Sequence, residues 1–215
     1  MKQAILFDLD GTLVDTLEDI CDAMNRSLRL HHLPEWDLPD YRYLVGNGAK
    51  ILAQRAVRDR QDLAESVQAE YQFWYERHDM DKSHPYDGMP ETLRLLAGQD
   101  VRLCVLSNKP DADSKHVVEH FYPGIRFRIV RGQLPGVPVK PDPTAALAIA
   151  VEMKLRPEDF LYVGDTAVDM TCARSAGMHP IGALWGFRTR EELLKSGAET
   201  LLAKPEELPA LLTNM

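Results

Sequence analysis

The sequence places a pair of aspartates at the end of each of two apolar runs. Asp8 and Asp10 follow the first run, and Asp165 and Asp169 follow the second. A spacing of two at a strand end points both side chains to the same side, and a spacing of four puts both on one face of a helix. Carboxylates this close repel each other unless one is protonated or a metal lies between them. Together the four would form the oxygen-rich pocket that Mg²⁺ prefers.

Each pair also has a purely structural explanation. Asp and Gly are common in strand-end turns, so Asp8-x-Asp10-Gly11 could be such a turn. Asp165 could be the N-cap of a helix, with Asp169 favourable near the positive end of that helix. The sequence leaves both explanations open for each pair taken alone.

Two further segments follow predicted strands or loops. At Ser107 the hydroxyl, with the amides of Asn108 and Lys109, could donate to phosphate oxygens, although serine often simply ends a strand. Lys140 follows a Gly/Pro loop and precedes Pro141. A single ammonium beside four carboxylates is what a site needs to hold a phosphoryl group near a carboxylate nucleophile. Most lysines, however, are merely solvated.

Hydrophobic periodicity predicts the elements that must position these residues. The predicted strands cover residues 3–9, 101–106, 126–130, 160–163 and 179–184. The predicted helices between them cover residues 90–97, 113–120, 142–153 and 168–176, with Asp142 as N-cap and Pro143 at the first helical position of the third. Strands separated by helices of this length imply a parallel, doubly wound α/β sheet. Ligands bind at the carboxyl ends of such strands.

An all-helical insert is predicted after the first strand. Leu17, Ile20, Met24 and Leu28 recur at the spacing of an amphipathic helix, and no strand-like alternation follows up to about residue 81. We therefore expect a Rossmann-like core of residues 1–14 and 83–215, with a helical cap of residues 15–82.

Composition limits the class of partner. The 215 residues carry a formal net charge of -8, which offers no general cationic field for a nucleic acid. No apolar stretch is long enough for a signal peptide or a membrane span. The three cysteines are far apart, as buried residues of a reducing compartment would be. We expect a cytoplasmic protein that binds neither nucleic acid nor membrane.

Taken together, the motifs resemble the four motifs of the haloacid dehalogenase superfamily. They are Asp8-x-Asp10-Gly-Thr, Ser107, Lys140-Pro and Gly164-Asp165-x-x-x-Asp169. The resemblance covers essentially the whole chain, and an insert after the first motif matches the commonest cap of that family. A narrower similarity to phosphoglycolate phosphatases rests on residues 45–48, 107–109, 139–142 and 184–193.

The resemblance implies a catalytic role for four residues. Asp8 would attack phosphorus and form an aspartyl phosphate, which water then hydrolyses. Asp10 would protonate the leaving alkoxide and later accept a proton from that water. Ser107 and Lys140 would bind the transferring oxygens. The expected substrate is a small phosphorylated metabolite, with phosphoglycolate favoured, and the enzyme would be a monomer or a homodimer.

Metal and substrate contacts are also implied by the resemblance. Mg²⁺ would be held by the Asp8 carboxylate, the Asp10 carbonyl and Asp165, with Asp169 supporting through water. Thr12, which could orient Asp10 or simply close the turn, and Asn108 are candidates for substrate binding. In the cap, the loop 46–48 and Lys50 are candidates for contact with the far end of the substrate, or else a helix-joining loop with a solvated lysine.

Three rival functions remain open at this stage. A sugar-phosphate mutase would share the motifs and return phosphate to its substrate. A metal-independent dehalogenase would use Asp8, but the second acid Asp10 argues against it, since displacing halide needs no proton donor. A phospho-accepting signalling module also clusters aspartates and a lysine on an α/β sheet, although it would need neither the insert nor Asp10.

Overall fold

The computed structural model of the protein describes residues 3–99 and 101–214. The chain divides into two compact units, which we call the core unit (Met1–Val14 with Pro85–Met215) and the helical unit (Asp15–His84).

Strands dominate the centre of the core unit. In chain order the strands are β1 (Ala4–Phe7), β2 (Val14–Asp15), β3 (His84–Pro85), β4 (Arg102–Pro110), β5 (Phe127–Gln133), β6 (Phe160–Gly164), β7 (His179–Ala183) and β8 (Thr200–Leu202). Six of them form a sheet in the order β5-β4-β1-β6-β7-β8, while β2 pairs with β3. All paired neighbours in the large sheet run parallel. The predicted parallel, doubly wound sheet is confirmed.

Helices connect the strands and make up the helical unit. In chain order they are α1 (Leu17–Leu30), α2 (Leu38–Leu44), α3 (Gly48–Ala56), α4 (Ala64–His78), α5 (Met89–Gly98), α6 (Asp111–Phe121), α7 (Thr144–Met153), α8 (Ala167–Ala176), α9 (Arg190–Lys195) and α10 (Leu208–Asn214). None of the helices in the part of the chain that the structure describes is both long and apolar enough to cross a membrane.

The central strand β1 is buried on both faces, as its unbroken apolar run predicted. Ala4, Ile5, Leu6 and Phe7 each have 0% exposure. Ala4 and Leu6 belong to a core cluster to which α7 and α8 contribute alanines such as Ala146 and Ala173. Small residues let these helices pack closely against the sheet.

Three sequence expectations for the core unit need correction. The edge strand β8 was not predicted, because a three-residue strand is too short to show a periodicity. β4 extends to Pro110, so residues 107–109 lie within the strand and not after it. α7 begins at Thr144 with Pro143 as N-cap, although Asp142 Oδ1 still accepts a 2.8 Å hydrogen bond from the Thr144 amide.

The helical unit has an apolar centre and side-chain hydrogen bonds to its backbone. Leu17, Ile20, Met24 and Leu28 are buried along one side of α1, as their spacing predicted. On the same helix Asn25 donates to the Trp36 carbonyl (2.8 Å) and accepts from the Trp36 amide (3.0 Å). These two bonds fix the segment that follows α1.

Candidate active site

The aspartate after β1 is held beside β6. The Asp8 amide donates a 2.9 Å hydrogen bond to the Val163 carbonyl, and β1 lies between β4 and β6 in the sheet. The carboxyl ends of three parallel strands therefore meet at Asp8, the position where ligands bind in open α/β sheets.

Three aspartates come together at this edge of the sheet. Carboxylate oxygens of Asp8, Asp165 and Asp169 lie within 4.8 Å of one another. Asp8 is 6% exposed and the other two are fully buried. A turn or helix cap at the surface would leave such carboxylates in water, so these roles alone do not account for the buried cluster, although Asp169 does lie in the first turn of α8.

Asp165 is fixed by two hydrogen bonds. Its Oδ1 accepts from the Thr12 hydroxyl (3.0 Å) and its Oδ2 from the Phe187 amide (2.9 Å). Gly11 has φ +82°, and a Cβ there would lie 2.4 Å from Asp165 Oδ2. A side chain at residue 11 would therefore displace the carboxylate, which explains the glycine of the first motif.

Asp169 belongs to the start of α8. Thr166 is the N-cap. The Thr166 amide (3.1 Å) and the Thr166 hydroxyl (2.6 Å) both donate a hydrogen bond to Asp169 Oδ2. The alternative that Asp165 caps this helix is therefore wrong, since the neighbouring threonine takes that position. A Cβ on Gly164 would lie 2.3 Å from the Asp169 Cβ, so only glycine lets β6 pass this close to the carboxylate.

Lys140 supplies a buried positive charge to the cluster. Its Nζ lies 2.7 Å from Asp8 Oδ1 and 2.8 Å from Asp169 Oδ1. Burial by itself lowers the pKa of Lys140, but the charges of Asp169 and Asp8 outweigh it and hold that pKa above its usual range. At 2% exposure Lys140 is not a solvated surface lysine.

Asn108 fixes the backbone of Lys140. Its side chain donates to the Lys140 carbonyl (3.0 Å) and accepts from the Lys140 amide (2.9 Å). The peptide between Lys140 and Pro141 is cis. The Asn108 side chain therefore holds the segment from which Lys140 projects.

Lys109 pairs with the second aspartate of the first motif. Its Nζ lies 3.0 and 3.2 Å from the two carboxylate oxygens of Asp10, and its amide donates to the Ser107 hydroxyl oxygen (3.2 Å). The sequence indicated a role for the Lys109 amide but not for this ammonium. Side chains two apart along a strand share a face, so alternation along β4 could have placed Lys109 on the side of Ser107, although not against Asp10 in particular.

The electrostatics of the cluster favour a cation. Burial, with Asp169 adding to it, raises the pKa of Asp8 well above its usual range. Burial and Asp169 likewise raise the pKa of Asp165 to about 7. Lys140 contacts Asp8 and Asp169, and Lys109 contacts Asp10. Arg188, whose charge acts on Asp165, is itself paired with Glu192, so carboxylate charge is in excess. A hard divalent cation such as Mg²⁺, which takes oxygen ligands, fits this donor set.

The predicted site residues fall into two groups. Those that the structure brings together in the core unit are Asp8, Asp10, Thr12, Ser107, Asn108, Lys140, Asp165 and Asp169. Thr12 is fully buried with its hydroxyl on Asp165, and so orients that residue and not Asp10. Lys50 lies exposed in α3 of the helical unit. The loop before it is held by Arg55, which donates to the Asn47 side chain (2.8 Å) and the Leu44 carbonyl (2.8 Å).

Comparison with known proteins identifies the family. Residues 5–183 match the family model described as haloacid dehalogenase-like hydrolase. This chain belongs to that family. The predictions of the superfamily and of a hydrolytic enzyme are thereby confirmed.

Several relatives carry phosphatase names. The chain is 33% identical over 195 residues to a phosphoglycolate phosphatase of Pseudomonas putida, covering 87% of this chain and 71% of the relative. It is 28% identical over 209 residues to an N-acetylmuramic acid 6-phosphate phosphatase of Pseudomonas aeruginosa, covering 96% and 92%. A solved structure from Lactobacillus delbrueckii subsp. bulgaricus has a TM-score of 0.93 and 25% identity, covering 99% of both chains. The similarity to phosphoglycolate phosphatases that the motifs indicated is confirmed.

Proposed function

We propose that this chain is a magnesium-dependent phosphatase that hydrolyses a small phosphate monoester, phosphoglycolate by preference, through a phospho-aspartate on Asp8. The observation that carries the proposal is the buried cluster of Asp8, Asp165 and Asp169 with Lys140 bonded to two of them. The proposed nucleophile thus lies at the same edge of the sheet as the ammonium that orients it and the carboxylate oxygens that could bind a metal.

The first proposed step transfers the phosphoryl group to the enzyme. Lys140 Nζ and the Leu9 amide both donate to Asp8 Oδ1, each at 2.7 Å, which fixes the orientation of the carboxylate. An Asp8 oxygen attacks phosphorus, a new P–O bond forms, and the bond to the leaving oxygen breaks. Asp10 gives its proton to the departing alkoxide. The released product is an alcohol.

The second proposed step regenerates the enzyme. Water attacks the phosphorus of the aspartyl phosphate and gives a proton to Asp10, while the bond from phosphorus to the Asp8 oxygen breaks. Orthophosphate leaves and the Asp8 carboxylate is restored. The Ser107 hydroxyl accepts from the Lys109 amide, so its O–H can donate to a phosphate oxygen.

Asp8, Asp165 and the Asp10 carbonyl would hold Mg²⁺, with Asp169 in support. When bound, the metal would offset the repulsion between an anionic nucleophile and an anionic ester. Thr12 and the Phe187 amide orient the Asp165 carboxylate, and Asp169 also orients Lys140. These hydrogen bonds fix the orientation of the carboxylates that would bind the metal before any ligand is present.

The helical unit would act as a cap that excludes bulk water and selects the substrate, with Lys50 and the loop 46–48 toward the far end of the substrate. Phosphoglycolate is favoured because a relative of that name is 33% identical to this chain, whereas the N-acetylmuramic acid 6-phosphate phosphatase is 28% identical. The enzyme would act in the cytoplasm as a monomer or homodimer.

A panel of esters tests the function. Phosphate release would be measured with Mg²⁺ on phosphoglycolate, N-acetylmuramic acid 6-phosphate, other phosphosugars and nucleotides. We expect at least a roughly tenfold preference in kcat/KM for phosphoglycolate. Chelation of Mg²⁺ should stop turnover, and added Mg²⁺ should restore it. Turnover undiminished in chelator would contradict the metal proposal.

The same panel separates the rival functions. A mutase would release little net phosphate and would need a bisphosphate activator, whereas a dehalogenase would act on haloacids without metal. Absence of phosphate release from every ester would contradict the proposed function as a whole.

A further inference from the structure

The ion pair between Lys109 and Asp10 is the most open of the three lysine–aspartate contacts in the site. Asp10 has 22% of its side chain exposed, while the Lys109 side chain is only 5% exposed. The Asp8 side chain is 9% exposed beside a Lys140 that is 2% exposed. A ligand group can therefore approach Asp10, and the nearby ammonium is largely withdrawn from screening water.

We propose that Lys109 selects the substrate, because its ammonium binds a carboxylate that the leaving group carries next to the bridging ester oxygen. The inference rests on the proposed function, in which Asp10 protonates that oxygen. Lys109 would then be a specificity-determining residue that favours phosphorylated 2-hydroxy acids over esters with neutral leaving groups.

The reach of Lys109 follows from its contact with Asp10. A proton donor must lie about 2.6–3.2 Å from the atom that it protonates, and Lys109 Nζ lies 3.0 Å from the same Asp10 carboxylate. The bridging oxygen and the ammonium are thus both neighbours of one carboxyl group. In a phosphorylated hydroxyacetate, a single methylene separates that oxygen from the carboxylate, which brings the acid to the ammonium.

A lysine that joins two carboxylates already exists in this site. Lys140 Nζ contacts both Asp8 and Asp169, since an ammonium is a compact charge with three donors. Lys109 would join Asp10 and the acid of the substrate in the same way. A neutral leaving group offers no second charge for this ammonium.

The backbone of Lys109 is fixed before any ligand binds. Its carbonyl accepts from the Ser114 hydroxyl (3.3 Å), and a Cβ on Gly132 of β5 would lie 2.5 Å from that carbonyl oxygen. The close approach of β5, which only glycine permits, therefore supports the strand segment that carries Lys109. Such preorganisation lowers the cost of ordering the side chain on binding.

The test compares phosphoglycolate with its neutral isostere, the phosphate ester of glycolamide. Wild type, Lys109→Met and Lys109→Arg would be assayed on both esters with Mg²⁺, and folding would be checked by thermal unfolding. We expect wild type to prefer phosphoglycolate. Lys109→Met should lower kcat/KM for phosphoglycolate by roughly 10- to 100-fold more than for the amide, which is the loss typical of a contact between charged groups. Lys109→Arg should keep most of the preference.

A binding measurement makes the test independent of turnover. In the Asp8→Asn background, calorimetry with Mg²⁺ would give the affinity for each ester with and without Lys109→Met. We expect the second change to weaken binding of phosphoglycolate selectively.

The outcomes distinguish this inference from the proposed function. If Lys109→Met lowers activity on both esters by the same factor, Lys109 only positions Asp10, and the inference is overturned while the phosphatase stands. If wild type hydrolyses both esters equally, the selection is contradicted, together with phosphoglycolate as the favoured substrate. If wild type hydrolyses no ester, the proposed function itself fails and the inference fails with it.

Discussion

Both units of the molecule contain a cluster of acidic and basic side chains, and the two clusters differ in burial and in charge balance. In the helical unit, a cavity of about 360 Å³ is lined by four acids and three arginine or lysine side chains. Three of the acids pair with a basic side chain: Glu35 with Arg29, Asp22 with Lys82 and Asp81 with His78. The fourth, Asp19, is buried and accepts hydrogen bonds from the Lys82 and Ser83 amides and the Ser83 hydroxyl. The side chains of the Lys82–Asp22 pair are 48% and 56% exposed.

The core cluster contains the same kinds of charged side chain, but these side chains are more deeply buried. Asp8 and Asp169 share Lys140, Asp10 pairs with Lys109, and Asp165 and Asp169 have no exposure. Exposed ion pairs contribute little because water screens them, whereas burial, with the charge of Asp169 adding to it, raises the pKa values of Asp8 and Asp165. Burial combined with unbalanced charge therefore distinguishes the proposed active site from the cluster of the helical unit, and a count of charged residues would not.

The largest expected effect is on turnover at the core cluster. Asp8→Asn should lower phosphate release at least about 1,000-fold, because the amide is not a nucleophile. The measurement is the steady-state rate with saturating Mg²⁺, with circular dichroism to confirm the fold. The matched change in the helical cluster, Asp22→Asn, should leave the rate nearly unchanged. Similar losses in both variants would contradict the distinction between the clusters.

Removal of a lysine should destabilise the protein much more when the lysine belongs to the core cluster than when it belongs to the helical cluster. Lys140→Met leaves Asp8 and Asp169 buried without their cation, which should cost about 3–5 kcal/mol and lower the unfolding temperature by about 10 °C. Lys82→Met removes an exposed pair and should have a much smaller effect. Thermal unfolding in matched buffer measures both, and equal shifts would show that burial is not the deciding difference.

Two asparagines provide a finer comparison. Asn108 and Asn25 each make two hydrogen bonds to the backbone of one residue, Lys140 and Trp36 respectively. Alanine at either position should cost about 1–3 kcal/mol of folding stability. Only Asn108→Ala should also lower kcat, by roughly tenfold, because Lys140 would lose its orientation. An equal effect of Asn25→Ala on kcat would remove the positioning role of Asn108.

The last expected effect is on the pH dependence of stability. The pKa of Asp165 is about 7 in the folded protein and about 3.9 in an unfolded chain. Between these values the folded state binds more protons, so the stability of metal-free protein should fall as pH rises from about 4 to 7. Asp8 shifts in the same direction.

Added Mg²⁺ should therefore raise the unfolding temperature by more at pH 8 than at pH 5, since protons compete with the metal for the same carboxylates. Asp165→Asn should flatten the metal-free profile. Scanning fluorimetry across pH measures both, and a metal-free stability that rises through this range would contradict the burial argument.

Much of the fold was predictable because the spacing of apolar residues in a long segment indicates which of its side chains are buried. The run before Asp8 predicted the central strand, and the stripe from Leu17 to Leu28 predicted α1. The errors fall where local signals compete or are too short. β8 has only three residues, and at the start of α8 the adjacent Thr166 takes the capping position that was open to Asp165.

The acidic residues of the site were predictable from the sequence, whereas the residues that pair with them were less so. The spacing of Asp8, Asp165 and Asp169 indicated carboxylates at strand ends, and the structure brings these three together. The pairing of Lys109 with Asp10 and the bonds between Asn108 and Lys140 join residues 99 and 32 positions apart. No periodicity encodes such pairs.

The sequence by itself determined the α/β class, the family and the residue types at each strand end, since these depend on local patterns of apolar and polar residues. Only the tertiary structure decided which lysine faces which aspartate, because parallel strands distant in sequence become neighbours only when the sheet assembles. It also decided how deeply the carboxylates are buried, and that burial gives Asp8 and Asp165 their raised pKa values.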